Sequence, residues 1–296
     1  MRTDHESETS MKTSTKDRAP RRGMPIRVIS IAAILLVGVA ALLLHLYPPG
    51  ASSGISSNPP PRMYADSALT KLPSTTDARA RGAAFATTWE GKHAKRDDAQ
   101  FAKDLIASMP KPPGAAESRR ELVTLHAIRD HHDRAGDAAS KWFEVYGKKK
   151  IWKLYFKQHK ALLPKAEAKR QKQVLGDAIT LADSVEATAK DHFHRQPPYQ
   201  QDPTLGGLNQ KQFAKTKKYS YPSRHAVLSY AALGVLETIE PHRTAQFEWM
   251  GQQVTYSRLY GAGHFPSDIV IGAYVGSAIG AYEVHYGKLD TTDVRF

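Results

Sequence analysis

Cysteine is absent from the 296 residues. Disulfides, thiolate metal sites and a cysteine nucleophile are thereby excluded, whatever the redox character of the compartment. Strand-like alternation bounded by turns is scarce, which argues against a sheet-based fold. Acidic residues are in deficit: 29 Asp and Glu stand against 42 Lys and Arg, for a formal charge of +13. A pI near 9.7 implies attraction to anions, whether phosphorylated substrates, acidic lipid surfaces or nucleic acid. Long apolar runs without a polar face are also missing, with one exception.

That exception is Val28 to Tyr47. At about 1.5 Å per residue it spans a hydrocarbon core of roughly 30 Å. Residues 1–27 before it are polar, lack apolar periodicity and end basic with Arg18, Arg21, Arg22 and Arg27, so they read as a disordered cytoplasmic tail. The run itself reads as a transmembrane signal-anchor over 28–47; a cleaved signal peptide is the rival, disfavoured by the long tail and the lack of an A-x-A site. Residues 48–62 are rich in Pro, Ser and Gly and form a spacer. The expectation is a membrane-tethered protein whose main domain, residues 63–296, lies outside the cytoplasm.

Beyond Tyr64 the periodicity is helical, with apolar residues at three- and four-residue steps over 98–109, 117–134, 138–146 and 166–194. Three further segments, 226–239, 244–260 and 266–286, follow Pro222. The fold class expected is all-α, a helical bundle. Gly272, Gly276 and Gly280 stand four apart in the last segment, a spacing that lets two helices approach closely.

Chemistry concentrates between Tyr221 and Asp268. His264 and Asp268 stand four apart, and Pro266 between them suits a helix start. A carboxylate turned back on one imidazole nitrogen sets the tautomer and leaves the other nitrogen free to attack. Arg258 offers a forked positive charge suited to phosphate oxygens. Pro222-Ser223 before the apolar run at Ala226 reads as a helix start that welcomes an anion. Without any family knowledge, this is a phosphate-handling site with two histidines.

These residues resemble the type 2 phosphatidic acid phosphatase superfamily, which includes bacterial class A acid phosphatases and vanadium haloperoxidases. Its pattern is K, six residues, R-P; then P-S-G-H; then S-R, five residues, H, three residues, D. Ser257, Arg258, His264 and Asp268 meet the third part completely. Pro222, Ser223 and His225 meet the second, with Arg224 in place of glycine. Lys190 and Pro198 meet the first, but Pro197 stands where arginine belongs. The resemblance implies an acid phosphatase-type helical bundle and a metal-independent phosphoric-ester hydrolase. His264 would be the nucleophile forming a phosphohistidine, Asp268 would hold its ring, and His225 would be the general acid. Lys190, Ser223, Arg258 and the backbone N–H of Arg224 would cradle the phosphate oxygens. No cofactor or metal is implied, and vanadate is expected to act as an inhibitor or phosphate mimic.

Two departures call for compensation. The missing guanidinium at Pro197 removes a charge-assisted clamp worth about 1.5–3 kcal/mol; Arg224 or Arg195 is expected to replace it. Other features are discounted. Asp130-His131-His132-Asp133, with His126, resembles a metal cluster, but on a helix these side chains point several ways. The basic, aromatic stretch Lys148 to Lys157 reads as a solvated lysine face with its aromatics in the core, so no nucleic-acid partner is expected. The function expected is hydrolysis of phosphate esters on the periplasmic side of a bacterial inner membrane. The substrate is a phosphorylated small molecule or, alternatively, a lipid phosphate or pyrophosphate. A haloperoxidase of the same fold and a non-catalytic module for acidic ligands are the rivals; oligomeric state is undetermined.

Overall fold

The first long helix of the computed structural model, α1, spans Thr76–Glu90 and follows a single turn at Asp66–Leu69. The structure describes residues 58–206 and 219–290. The expected tail, the apolar run 28–47 and most of the spacer therefore lie outside the described residues, and among those described no helix is long and apolar enough to cross a membrane. The order continues with α2 Asp98–Ser108, α3 Ala115–Arg129, α4 Arg134–Tyr146, α5 Lys150–His159 and α6 Lys165–Phe193. After a short helix at Pro198–Gln201 come α7 Arg224–Ile239, α8 Thr244–Tyr260 and α9 Pro266–Tyr286. The all-α expectation holds among the described residues, which contain no strand.

Local chemistry explains the boundaries. Asp97 caps α2 by accepting from the N–H of Gln100, and Asp133 caps α4 by accepting from Gly136. The Asp133 cap corrects one boundary: the segment expected over 117–134 stops at Arg129, and the one expected from 138 already starts at Arg134, under the Asp133 carboxylate. α9 begins at Pro266, whose missing N–H costs nothing at a first turn. Its Asp268 carboxylate accepts from the N–H of Phe265 at 2.8 Å, closing the turn from within.

The centre of the bundle is α7 against α9, with α1 on the far side of α9 and α6 and α8 against α7. α7 is buried on nearly every face, from His225 to Ile239. The glycine row on α9 makes this approach possible. A Cβ on Gly276 would stand 2.5 Å from the Val227 carbonyl oxygen, and one on Gly272 2.6 Å from the Ala226 Cβ; one on Gly280 would meet the Gly234 Cα at 3.1 Å. Such contacts bring α7 and α9 together along their length and set the spacing of their N-terminal ends, where the site lies.

The basic aromatic stretch behaves as expected in its apolar half: Ile151, Trp152, Tyr155 and Phe156 are buried on α5. The His-Asp group of 126–133 is dispersed. His126 bonds Asp202 at 2.7 Å, His132 stacks on Tyr260 and Asp133 caps α4. Among the described residues no group of three or more such side chains is placed to share a metal ion.

The glycine row generates a stability prediction. Gly276→Ala is expected to cost about 1–3 kcal/mol, because backbone rather than a flexible side chain must yield. Gly176→Ala on α6, where a Cβ meets nothing within 4 Å, is expected to gain about 0.5–1 kcal/mol. Denaturant unfolding of the two variants checks both signs.

Candidate active site

Three segments meet at the N-terminal ends of α7 and α9: the end of α6 with Lys190 to Pro197, the Ser220–His225 turn, and Arg258 to Asp268. Backbone hydrogen bonds tie them together. The Ser220 N–H donates to the Arg195 carbonyl at 2.8 Å, and the Ser223 N–H to the Asp268 carbonyl at 3.0 Å. The His264 ring donates from Nδ1 to the Ser220 carbonyl at 2.8 Å. Because a carbonyl can only accept, the proton of the neutral ring sits on Nδ1 and the lone pair on Nε2.

Asp268 lies beside the His264 ring and also carries bonds that the four-residue spacing did not announce. Its Oδ2 lies 3.6 Å from His264 Nδ1, too far for a hydrogen bond, and is spent on the Phe265 N–H. Its Oδ1 receives Arg195 Nη1 at 2.6 Å. The Arg195 guanidinium also donates to Glu121 at 2.8 Å and to the hydroxyls of Ser118 and Ser267, and it stacks on Phe265. Arg195 and Asp268 are 4% and 0% exposed. Arg195 is therefore not a substitute for the arginine missing at Pro197; it neutralises two buried carboxylates behind the site. Pro197 itself is buried and heads the short helix that follows.

A cavity of about 250 Å³ opens in front of this network. His225 and His264 both line it, together with Lys148, Lys190, Arg224 and Arg258 and the carboxylates Glu144 and Glu186. Six of the seven expected site residues are placed here as follows. His264, His225, Lys190, Arg224 and Arg258 line the cavity; Asp268 stands behind His264. Ser223 does not line it. Its hydroxyl is buried without a hydrogen-bond partner at the N-cap of α7.

The cations are matched by carboxylates. Lys190 pairs with Glu186 at 2.7 Å. Arg258 donates from Nη1 to Glu144, from Nη2 to the Ser140 carbonyl at 3.1 Å and from Nε to Ser257 at 2.9 Å. Lys148 donates to the same Glu144 at 2.9 Å. Arg224 is held by Asp183 at 2.6 Å, and Lys149 joins that carboxylate at 2.8 Å. The compensating charge expected of Arg224 is thus shared with Asp183, and its side chain is 39% exposed. Lys148 is an additional cation at the cavity. It escaped the sequence reading as one lysine of a run, although its four-residue spacing from Glu144 was visible.

Burial and these cations set the protonation. The His225 ring lies in the interior, hydrogen-bonds to the Phe143 backbone, and has no partner on Nε2. Burial, then Arg258 and Lys148, push its pKa well below 6.5. Burial also lowers His264, opposed by Asp268 and assisted by Lys190. Burial works to raise the Glu144 carboxyl, but Arg258 and Lys148 hold it below the usual range. Both imidazoles are therefore neutral near pH 7 and Glu144 is ionised. The arrangement offers an unprotonated ring nitrogen, a second imidazole and a set of fixed cations around one small volume.

The buried Arg195 network predicts a contrast in stability. Arg195→Ala strands Asp268 and Glu121 as buried charges and is expected to cost about 3–5 kcal/mol. Arg224→Ala, at a partly exposed pair, is expected to cost about 1 kcal/mol or less. Thermal or urea unfolding distinguishes the two.

Compared with known proteins, residues 174–290 match the family model described as PAP2 superfamily. The match includes all seven expected site residues but begins after Glu144 and Lys148. No curated protein matches the chain.

Proposed function

We propose, from the premise that residues 174–290 form a PAP2-superfamily domain, that this hydrolase-superfamily chain is a phosphatase acting on phosphate esters through a phosphohistidine intermediate. The observation that carries the reading is the convergence of His264, His225, Lys190 and Arg258 on one cavity. His264 Nε2 attacks phosphorus while its Nδ1–H goes on donating to the Ser220 carbonyl. As the phosphorus–oxygen bond to the alcohol breaks, His225 protonates the departing oxygen. It then takes a proton from the water that releases phosphate from His264. Lys190, Arg258 and Lys148 stabilise the charge spread over the transferring oxygens. Lys148 takes the place of the guanidinium that Pro197 removes. Asp268 acts from 3.6 Å as a fixed negative charge that favours the imidazolium-like character of the attacking ring.

The phosphate of a small molecule or a lipid is the substrate class, in keeping with the superfamily. Tethering by the segment 28–47, with the domain on the periplasmic side, remains part of the proposal. A non-catalytic anion-binding module is the second reading, favoured by the carboxylates that already occupy every cation in the cavity.

Hydrolysis of a generic phosphate ester by the full chain decides between them. Activity that survives EDTA, is blocked by vanadate and falls roughly 10³-fold or more in His264→Ala supports the phosphatase. Anion binding with no turnover supports the module. His225→Gln is expected to lower kcat by about 10²–10⁴-fold.

The pH dependence follows from the same site. His264 must be neutral and His225 protonated, and burial holds both pKa values below 6.5. The profile of kcat/KM is therefore a bell with its maximum on the acidic side of that value. A rate that rises only above neutrality contradicts the assignment.

A further inference from the structure

Glu144 is the least expected member of the cavity. It projects from the last turn of α4 and draws together donors from two other parts of the chain: Arg258 Nη1 from α8 and Lys148 Nζ from the segment after α4. His225 Nε2 on α7 lies 4.0 Å from the same Glu144 oxygen, Oε2, that Arg258 engages. Across the cavity stand Lys190 and Glu186 of α6, His264, and Arg224 at the head of α7. An ionised carboxylate offers only lone pairs. Arg258 also donates to Ser257 and to the Ser140 carbonyl, and the Glu144 oxygen it engages is the one nearest His225. An oxyanion seated between the two histidines consequently meets a carboxylate oxygen as well as cations.

That geometry separates oxyanions by whether they carry a proton. A fully ionised anion sets oxygen lone pairs against oxygen lone pairs and like charge against like charge. A phosphate with one proton has a P–OH that donates to Glu144 while its other oxygens face Arg258, Lys148 and Lys190. Resting on the reading of this cavity as a phosphate site, we propose that Glu144 is a specificity-determining residue that accepts a hydrogen bond from a protonated phosphate oxygen. The site then takes phosphate groups as singly charged, proton-bearing anions and disfavours oxyanions with no proton to give. Phosphate monoesters lose that proton with a pKa of about 6, so substrate capture weakens as pH rises even where the protein's own charges do not change.

Calorimetric titration of the full chain with inorganic phosphate and with sulfate tests this. Sulfate matches phosphate in shape but stays fully ionised, and so controls for protonation of His225 and His264. At about pH 5.5, where phosphate retains a proton, phosphate is expected to bind roughly tenfold or more tightly than sulfate. Inorganic phosphate, unlike a monoester, still carries one proton at mildly alkaline pH, so its preference over sulfate is expected to persist there. In Glu144→Gln, which keeps the shape and removes the charge, sulfate binding is expected to tighten and the two anions to come within about threefold. Equal binding of the two anions by the wild-type protein overturns the proposal, as does a preference that persists unchanged in Glu144→Gln or an absence of binding by either anion. Should the variant fail to fold, the wild-type comparison of phosphate with sulfate decides alone. Phosphate preference without ester hydrolysis removes the phosphatase reading and leaves Glu144's role standing; hydrolysis without the preference removes only the latter.

Discussion

Burying Arg195 together with Asp268 and Glu121 is the constraint on which the rest depends. Three charges in the interior are tolerable only if each is paired and hydrogen-bonded in a fixed geometry. Satisfying them holds α3, the end of α6 and the start of α9 in register. The backbone of the same residues extends the lock, since the Arg195 carbonyl receives Ser220 and the Asp268 carbonyl receives Ser223. Ser220 in turn fixes the His264 tautomer, and Ser223 leads directly into His225. A salt bridge that touches no ligand thus positions both imidazoles.

In front of that lock the electrostatics are balanced rather than bare. Four cations line the cavity, and each has a carboxylate partner. An isolated set of ammonium and guanidinium groups at this depth would depress the histidines further and repel itself. The carboxylates hold the cations in place before a ligand arrives, which lowers the reorganisation needed when charge develops. They also make anion entry an exchange of partners, so affinity depends on how well the incoming group replaces or accommodates Glu144.

Much of the fold was readable from periodicity and caps. The last three helices agree with the apolar pattern almost to the residue, because Pro222 and Pro266 mark two starts. The four-residue glycine spacing on α9 correctly announced a close helix contact. The reading stumbled where a local cap outweighed periodicity: Asp133 moves the boundary between two segments back by about a turn. Of the site, the histidines, Lys190 and Arg258 were legible as ordered motifs near α7 and α9. Asp268's real partner was not, since its choice of Arg195 and the Phe265 N–H over His264 depends on which groups reach a buried carboxylate first. Arg195 and Arg224 looked equivalent as replacements for one missing charge, yet one is enclosed between carboxylates and the other leans towards Asp183 at the surface.

The linear order of residues by itself determined the helical class, a closely approached glycine face on α9 and the two candidate imidazoles, because spacing along one helix or turn is a local property. The folded arrangement alone decided that Glu144 and Lys148, far upstream on α4 and the segment after it, share a cavity with them. It alone decided that Ser220 rather than Asp268 holds the His264 proton. Contacts between segments separated by tens of residues leave no periodic trace, and which buried polar groups pair is settled only when packing removes water and forces each to find a partner.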